Sequence, residues 1–242
     1  MTKREASTMA NTNLTPVTIE SVTQELHKAF QLFNDTWFDS KLPVPAITIQ
    51  SSGHRRLSMG WCSINPVWGT KDGSQQMYEI NLSAEFLADD FFEVMDTLLH
   101  EMVHLYHMVN NIQDTSRKGT YHNKKFRDKC LDIGFEYADP KPDKQHGYSF
   151  ARIGQPLKDK IATMDINAET FVIARRGFRY LRAVEDGATP EEASAAGNAY
   201  GPSESTSNSI KWVCPTCNMA VRSYKKEVHI LCGDCNETFV QA

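Results

Sequence analysis

His100-Glu101-Met102-Val103-His104 places two imidazoles four residues apart, with a carboxylate directly after the first. On a helix, side chains four apart stack one turn above the other, so two ring nitrogens can converge on one Zn²⁺. Glu101, about 100° round the helix, can then reach a water beside the ion. This is the H-E-x-x-H pattern of zinc hydrolases, in which the glutamate is the general base and peptide hydrolysis proceeds without a covalent intermediate. A third ligand has to come from elsewhere. His107 lies seven residues from His100, a rise of about 10.5 Å, whereas Zn–N bonds span only about 2.0–2.1 Å. His122, after the polar, glycine-containing loop Lys118-Gly119-Thr120-Tyr121, is the predicted third ligand.

A second constellation lies near the C-terminus. Cys214-Pro215-Thr216-Cys217 and Cys232-Gly233-Asp234-Cys235 form two C-x-x-C pairs separated by fourteen residues, one short of the usual tandem zinc window. Four thiolates complete a tetrahedron with no open position, so this second zinc is expected to be structural. Val221 to Tyr224 and Val228 to Leu231 are the expected hairpin between the pairs, with His229 a hairpin residue and not a fifth ligand. A disulfide or redox pair is the alternative reading. Cys62 and Cys130 stand alone and read as small buried hydrophobes; His54 and His146 have no identifiable partner.

His100 to His104, then Asn110-Asn111, then Gly119 to Phe126 resemble the SprT-like family, the bacterial and phage relatives of the Spartan DNA–protein crosslink proteases. Members often carry H-E-M-x-H followed by a Gly-His-Gly-x-x-Phe-like element with the third ligand; here Thr120-Tyr121 precede His122 and Asn123 follows it. The resemblance implies a zinc metalloendopeptidase acting on DNA-bound or crosslinked proteins, with DNA, including single-stranded DNA, as partner and a zinc ribbon at the C-terminal end. It also implies an edge strand beside the site that holds an extended substrate by main-chain hydrogen bonds. Tyr78-Glu79-Ile80-Asn81-Leu82 is the candidate for that role, an ordinary sheet strand being the alternative. Tyr121, beside the third ligand, is the candidate oxyanion donor. The rival functional reading is a non-catalytic, zinc-containing regulatory protein that binds nucleic acid.

The elements that must position these residues spell an α+β, zincin-like domain: a helix, three strands, the H-E-x-x-H helix and a further helix, followed by a small Cys₄ zinc ribbon. Ile19, Val22, Leu26, Phe30, Phe33 and Trp37 step at helical intervals behind Thr18, a candidate cap. Ala46 to Gln50, Leu57 to Ile64 and Gln76 to Ser83 read as strands, with Ser83 capping a short turn. Met95, Leu98, Leu99, Met102, Tyr106 and Val109 form the apolar face of the histidine helix, and Asn123 to Ile133 the next helix. The expected organisation is a disordered tail over 1–16, the metallopeptidase domain over 17–155, a linker with possible helices (Ala168 to Val184 and Pro190 to Tyr200) over 156–210, and the ribbon over 211–242.

With 242 residues, 40% hydrophobic and 23% charged, the chain can bury a sizeable core. Its formal charge of −4 excludes a uniformly basic nucleic-acid coat, so any DNA contact is local. Six basic residues against Asp128 leave a net +5 between residues 117 and 129. Arg222, Lys225 and Lys226 form a small patch on the ribbon. Arg175, Arg179 and Arg182, joined by Arg176 and interleaved with Phe171, Phe178 and Tyr180, are spaced as one helical stripe. Such a stripe grips phosphates and stacks bases, or it is simply the solvated face of a helix. No run reaches the roughly 18 apolar residues of a membrane span, and Met1 to Pro16 lacks a signal-peptide core. The expected setting is the cytoplasm of a bacterial or phage-infected cell, without membrane contact.

Overall fold

The computed structural model describes residues 16–51, 58–197 and 209–241. The expected tail over 1–16 lies outside them except for Pro16, as do His54 and all but Ser209 of the polar stretch 203–209. Two compact units result, one ending at Arg175 and one beginning at Arg176.

The first unit opens with helix α1 (Ile19–Trp37), capped as its sequence predicts. The Ser21 amide donates to Thr18 Oγ1 at 3.2 Å and the Thr18 amide to Ser21 Oγ at 3.0 Å, so two otherwise orphaned donors are satisfied reciprocally. Val22, Leu26, Ala29, Phe30 and Phe33 face the core. Asn34, also buried, fixes the return of the chain: its amide donates to the Leu42 carbonyl at 3.0 Å and accepts from the Leu42 amide at 3.1 Å.

Strands β1 (Ala46–Gln50), β2 (Gly60–Cys62), β3 (Trp68–Gly69), β4 (Gln76–Met77) and β5 (Glu79–Ser83) follow. The main sheet has the order β1-β5-β2, with β5 parallel to β1 and antiparallel to β2. The stretch proposed as a substrate-holding edge, Tyr78 to Leu82, is therefore the centre of the sheet. Ile80, Asn81, Leu82 and Ser83 are all buried, the continuous burial of a strand covered on both faces and both edges. The single strand expected over Gln76 to Ser83 divides at Tyr78, because β4 pairs with β3 in a separate hairpin. The edge next to the histidine helix is β2, shorter than the Leu57 to Ile64 expected, with 52–57 outside the described residues.

Helix α2 (Phe91–Val109) carries the motif and is the spine of the core, burying Val94, Met95, Leu98, Leu99, Met102, Val103 and Leu105. Asp90 is its cap, accepting from the Phe92 amide at 2.9 Å. Ser83 instead closes the preceding turn through its carbonyl, while its hydroxyl donates to the Ser58 carbonyl at 2.6 Å. Next come β6 (Thr115–Ser116) and β7 (Tyr121–His122), an antiparallel pair, and α3 (Lys124–Ile133), capped by Asn123. Strands β8 (Phe135–Glu136) and β9 (Arg152–Ile153) then pair, leading to α4 (Gln155–Ala162).

The core does not stop at residue 155. Leu157, Ile161 and Phe171 belong to the same cluster as α1 and α2. Pro156, which reads in sequence as a domain end, lies in the first turn of α4, where its missing N–H costs nothing. Of the helix expected over Ala168 to Val184, a 3₁₀ turn at Ala168–Thr170 forms in the first unit and α5 (Phe178–Glu185) in the second, whereas α6 (Pro190–Gly197) covers the described part of the helix expected over Pro190 to Tyr200. The second unit ends in β10 (Ile210–Val213), β11 (Ala220–Ser223) and β12 (Val240–Gln241), ordered β11-β10-β12. The hairpin thus frames the first C-x-x-C pair, not the segment between the pairs as expected; Val228 to Leu231 contributes only an isolated bridge, Leu231 to Thr238. Among the described residues no helix is long and apolar enough to cross a membrane.

Candidate active site

Helix α2 presents His100 and His104 one turn apart, and β7 brings His122 opposite them. One ring nitrogen from each lies within 4.8 Å of the others. Phe126, fully buried on α3, floors the group, its ring centroid 4.7, 4.6 and 4.5 Å from those of His100, His104 and His122. Nε2 of His104 and Nε2 of His122 are 3.0 Å apart. Two imidazole lone pairs at that distance repel unless a proton or a cation lies between them. Two nitrogens on one tetrahedral zinc would be about 3.3 Å apart given the usual Zn–N bond length, so the residues fit the ion that the motif implies. Nδ1 of His122 is buried and has no hydrogen-bond partner among the described residues.

The third ligand's strand is held from behind. The His122 amide donates to the His146 carbonyl at 3.0 Å, and the Tyr148 amide to the His122 carbonyl at 3.0 Å. Between them Gly147 has φ +65°, and a Cβ there would collide with the His122 carbonyl oxygen, so only glycine fits this close approach. Tyr121 packs under the Arg117 guanidinium, 4.6 Å from its ring centroid.

Glu101 is 6% exposed, pointing from α2 toward the edge strand β2. Burial pushes its carboxyl up to about 7, partly offset by the His104 charge and the Cys62 backbone amide. Burial likewise lowers His100, aided by His104 and His122, and takes His122 down to about 3. His104 is the exception: burial lowers it, but the hydrogen bond to Asp114 and the nearby Glu101 charge outweigh this and leave it raised.

Asp114 is the member of the cluster that sequence reasoning missed. Fully buried, it holds Oδ2 2.7 Å from His104 Nδ1. Burial raises its pKa, but His104 and His107 reverse this and hold it well below the ordinary carboxylate range. The available signal was an acidic residue in the short loop between the motif and the third ligand. His107, rejected as a ligand, is buried with Nδ1 3.2 Å from the same Asp114 oxygen.

The second cluster is equally well formed. Cys214, Cys217, Cys232 and Cys235 each offer a sulfur within 4.8 Å of the others, and Sγ of Cys217 and Cys232 are 3.7 Å apart, with no disulfide. About 3.8 Å is the S···S separation on a tetrahedral zinc with ordinary Zn–S bonds. The two knuckles repeat one geometry. The Asn218 amide donates to the Cys214 carbonyl and the Asn236 amide to the Cys232 carbonyl, with both asparagines left-handed at φ 59° and 55°. His229 is outside the cluster.

Of the three arginines spaced for one helical stripe, Arg175 lies outside the helix. Arg175 precedes α5, its amide donating to the Ala84 carbonyl and its guanidinium 3.0 Å from Glu85, whereas Arg179 and Arg182 lie on α5. The i, i+4, i+7 spacing counted Arg175 on a helix that starts only at Phe178. In the basic stretch 117–129, Lys129 is bound to Asp132 at 2.8 Å and Arg127 to Asp128 at 2.6 Å. Lys118, Lys124, Arg222, Lys225 and Lys226 are exposed.

A model of the SprT-like family matches residues 26–146, half of the chain, from α1 to the carbonyl that backs His122. No solved structure matches the chain.

Proposed function

This chain belongs to the SprT-like family, a metallopeptidase-related family, and from that premise we propose a zinc-dependent endopeptidase that hydrolyses peptide bonds of DNA-associated or DNA-crosslinked proteins. The observation that carries the reading is the convergence of His100, His104 and His122 with the buried Glu101 carboxylate one residue after the first histidine. A purely structural zinc site has no use for a base poised near neutrality beside it.

His100, His104 and His122 would hold the ion through one ring nitrogen each. Bound there, Zn²⁺ supplies Lewis-acid polarisation of the scissile carbonyl and acidifies water toward neutral pH. Glu101 takes the proton of the attacking water onto its carboxylate and delivers it to the leaving amine. Its raised pKa suits both halves of that task, since a base near the working pH both accepts and gives up a proton readily. Strand β2, the sheet edge beside Glu101, is the element along which an extended substrate would pair. The DNA part of the reading is supported by the exposed Lys118 and Lys124 in the first unit and by Arg222, Lys225 and Lys226 in the second. The Cys₄ cluster would hold a structural zinc.

The test is zinc content together with cleavage of a DNA-binding protein, with and without single-stranded DNA, for wild type and E101Q. Two zincs per chain and DNA-stimulated cleavage lost in E101Q support the proposal. Two zincs with no cleavage under any condition favour the non-catalytic regulator instead.

A further inference from the structure

We propose that Asp114 is a positioning residue for His104, and that His107 holds Asp114 in turn. This rests on the metallopeptidase reading and extends it to two residues that touch neither ion nor substrate.

A carboxylate with no solvent exposure is costly to bury unless its charge is used. Oδ2 of Asp114 is 2.7 Å from Nδ1 of His104. Accepting from that nitrogen fixes the tautomer, leaving the Nε2 lone pair directed at His122, 3.0 Å away. It also locks the ring plane and increases the electron density that His104 offers a cation. Asp114 is itself fixed by the backbone that carries the third ligand. Its carbonyl accepts from the Asn123 amide at 2.8 Å, and the adjacent Thr115 pairs with His122. One hairpin therefore sets the third ligand and orients the second. Among the described residues Oδ1 of Asp114 has no hydrogen-bond partner. His107 supplies the remaining support, its Nδ1 3.2 Å from Oδ2 but outside hydrogen-bond alignment. Thus the third histidine of α2, too far along the axis to share an ion with His100, backs the carboxylate behind His104.

The experiment measures zinc affinity of the histidine site in the full chain by chelator competition, with Co²⁺ substituted for its absorption spectrum. D114N is expected to bind zinc at that site roughly 10–100-fold more weakly, with a shifted Co²⁺ ligand-field band and the Cys₄ zinc retained. D114E, which keeps the charge, is expected to recover part of the loss, and H107Q to show a smaller loss in the same direction. Circular dichroism separates these effects from unfolding; should D114N fail to fold, D114E and H107Q carry the test. Wild-type affinity and an unshifted Co²⁺ spectrum in a folded D114N, or in both D114E and H107Q, overturn the proposal. A wild-type chain that takes up zinc only at the cysteines refutes the metallopeptidase reading itself, which is a separate outcome.

Discussion

Gly60 lies directly against Glu101: a Cβ built on Gly60 would come 3.2 Å from Glu101 Cγ, and closer still to the Asn81 carbonyl oxygen and Thr97 Cγ2, at 2.8 and 2.9 Å. The sheet edge approaches the base this closely because residue 60 has no side chain. G60A must push β2 off α2, either displacing the Glu101 carboxylate or opening the groove along the edge. A displacement of about 1 Å at a reacting group costs on the order of 100-fold. The expected result is a fall in kcat of roughly that size with zinc content unchanged; an unaltered kcat would show that this contact does not position the base.

Phe126 contacts all three histidines and is itself fully buried. F126A removes the floor of the site and a large core side chain together, so unfolding of the first unit should become easier by about 3–5 kcal/mol. F126L, which refills much of the volume, should recover most of that stability but less of the zinc affinity, because it lacks the flat face against the rings. Denaturant unfolding beside chelator competition separates the two losses. Equal recovery of both would mean that Phe126 is only a core residue.

Asp96 ties β9 to α2 by accepting from the Ile153 amide at 2.8 Å, with Arg152 at 3.4 Å. Burial carries its carboxyl up to about 6, only partly offset by those two partners. A carboxyl raised on folding contributes stability that is complete below its unfolded pKa and is lost as pH rises through the folded one. The window therefore runs from about pH 4 to about pH 6, and the stability lost across it is about 3 kcal/mol. D96N keeps an acceptor for the Ile153 amide but cannot ionise. Urea unfolding at pH 4 and pH 7 should show wild type losing stability relative to D96N by up to that amount. A pH-independent difference between the two proteins would contradict the assignment.

The ribbon has a small core, Trp212, Cys214, Cys232 and Phe239, with a few half-buried neighbours. A structural zinc contributes roughly 10–16 kcal/mol in modules of this size. C232S should unfold the ribbon, seen as loss of Trp212 burial by fluorescence quenching, while thermal unfolding of the first unit is unchanged. Retention of a folded ribbon in C232S, or its collapse together with the first unit, would show that the thiolate cluster is not what holds it.

What the sequence determined by itself was whatever depends on neighbours a few residues away. The helix from Ile19 with its Thr18 cap, the helix that ends at Ile133, the His100–His104 spacing and the two cysteine knuckles are all legible there, because helical stacking and tight-turn geometry are local. The choice of His122 reached further along the chain, where loop length, residue type and the family resemblance pointed to the residue that the fold brings to the other two histidines. Periodicity misled where a local break interrupted it: Arg175 keeps helical phase with Arg179 and Arg182 in sequence, but the helix begins after it. Only the tertiary structure decided that β5 is central and β2 the edge, since strand order depends on pairing partners tens of residues apart. It alone brought Asp114 behind His104, Phe126 beneath the three rings and Gly60 against Glu101. These contacts join separate elements across the core, and close packing, not spacing along the chain, sets which side chains meet there.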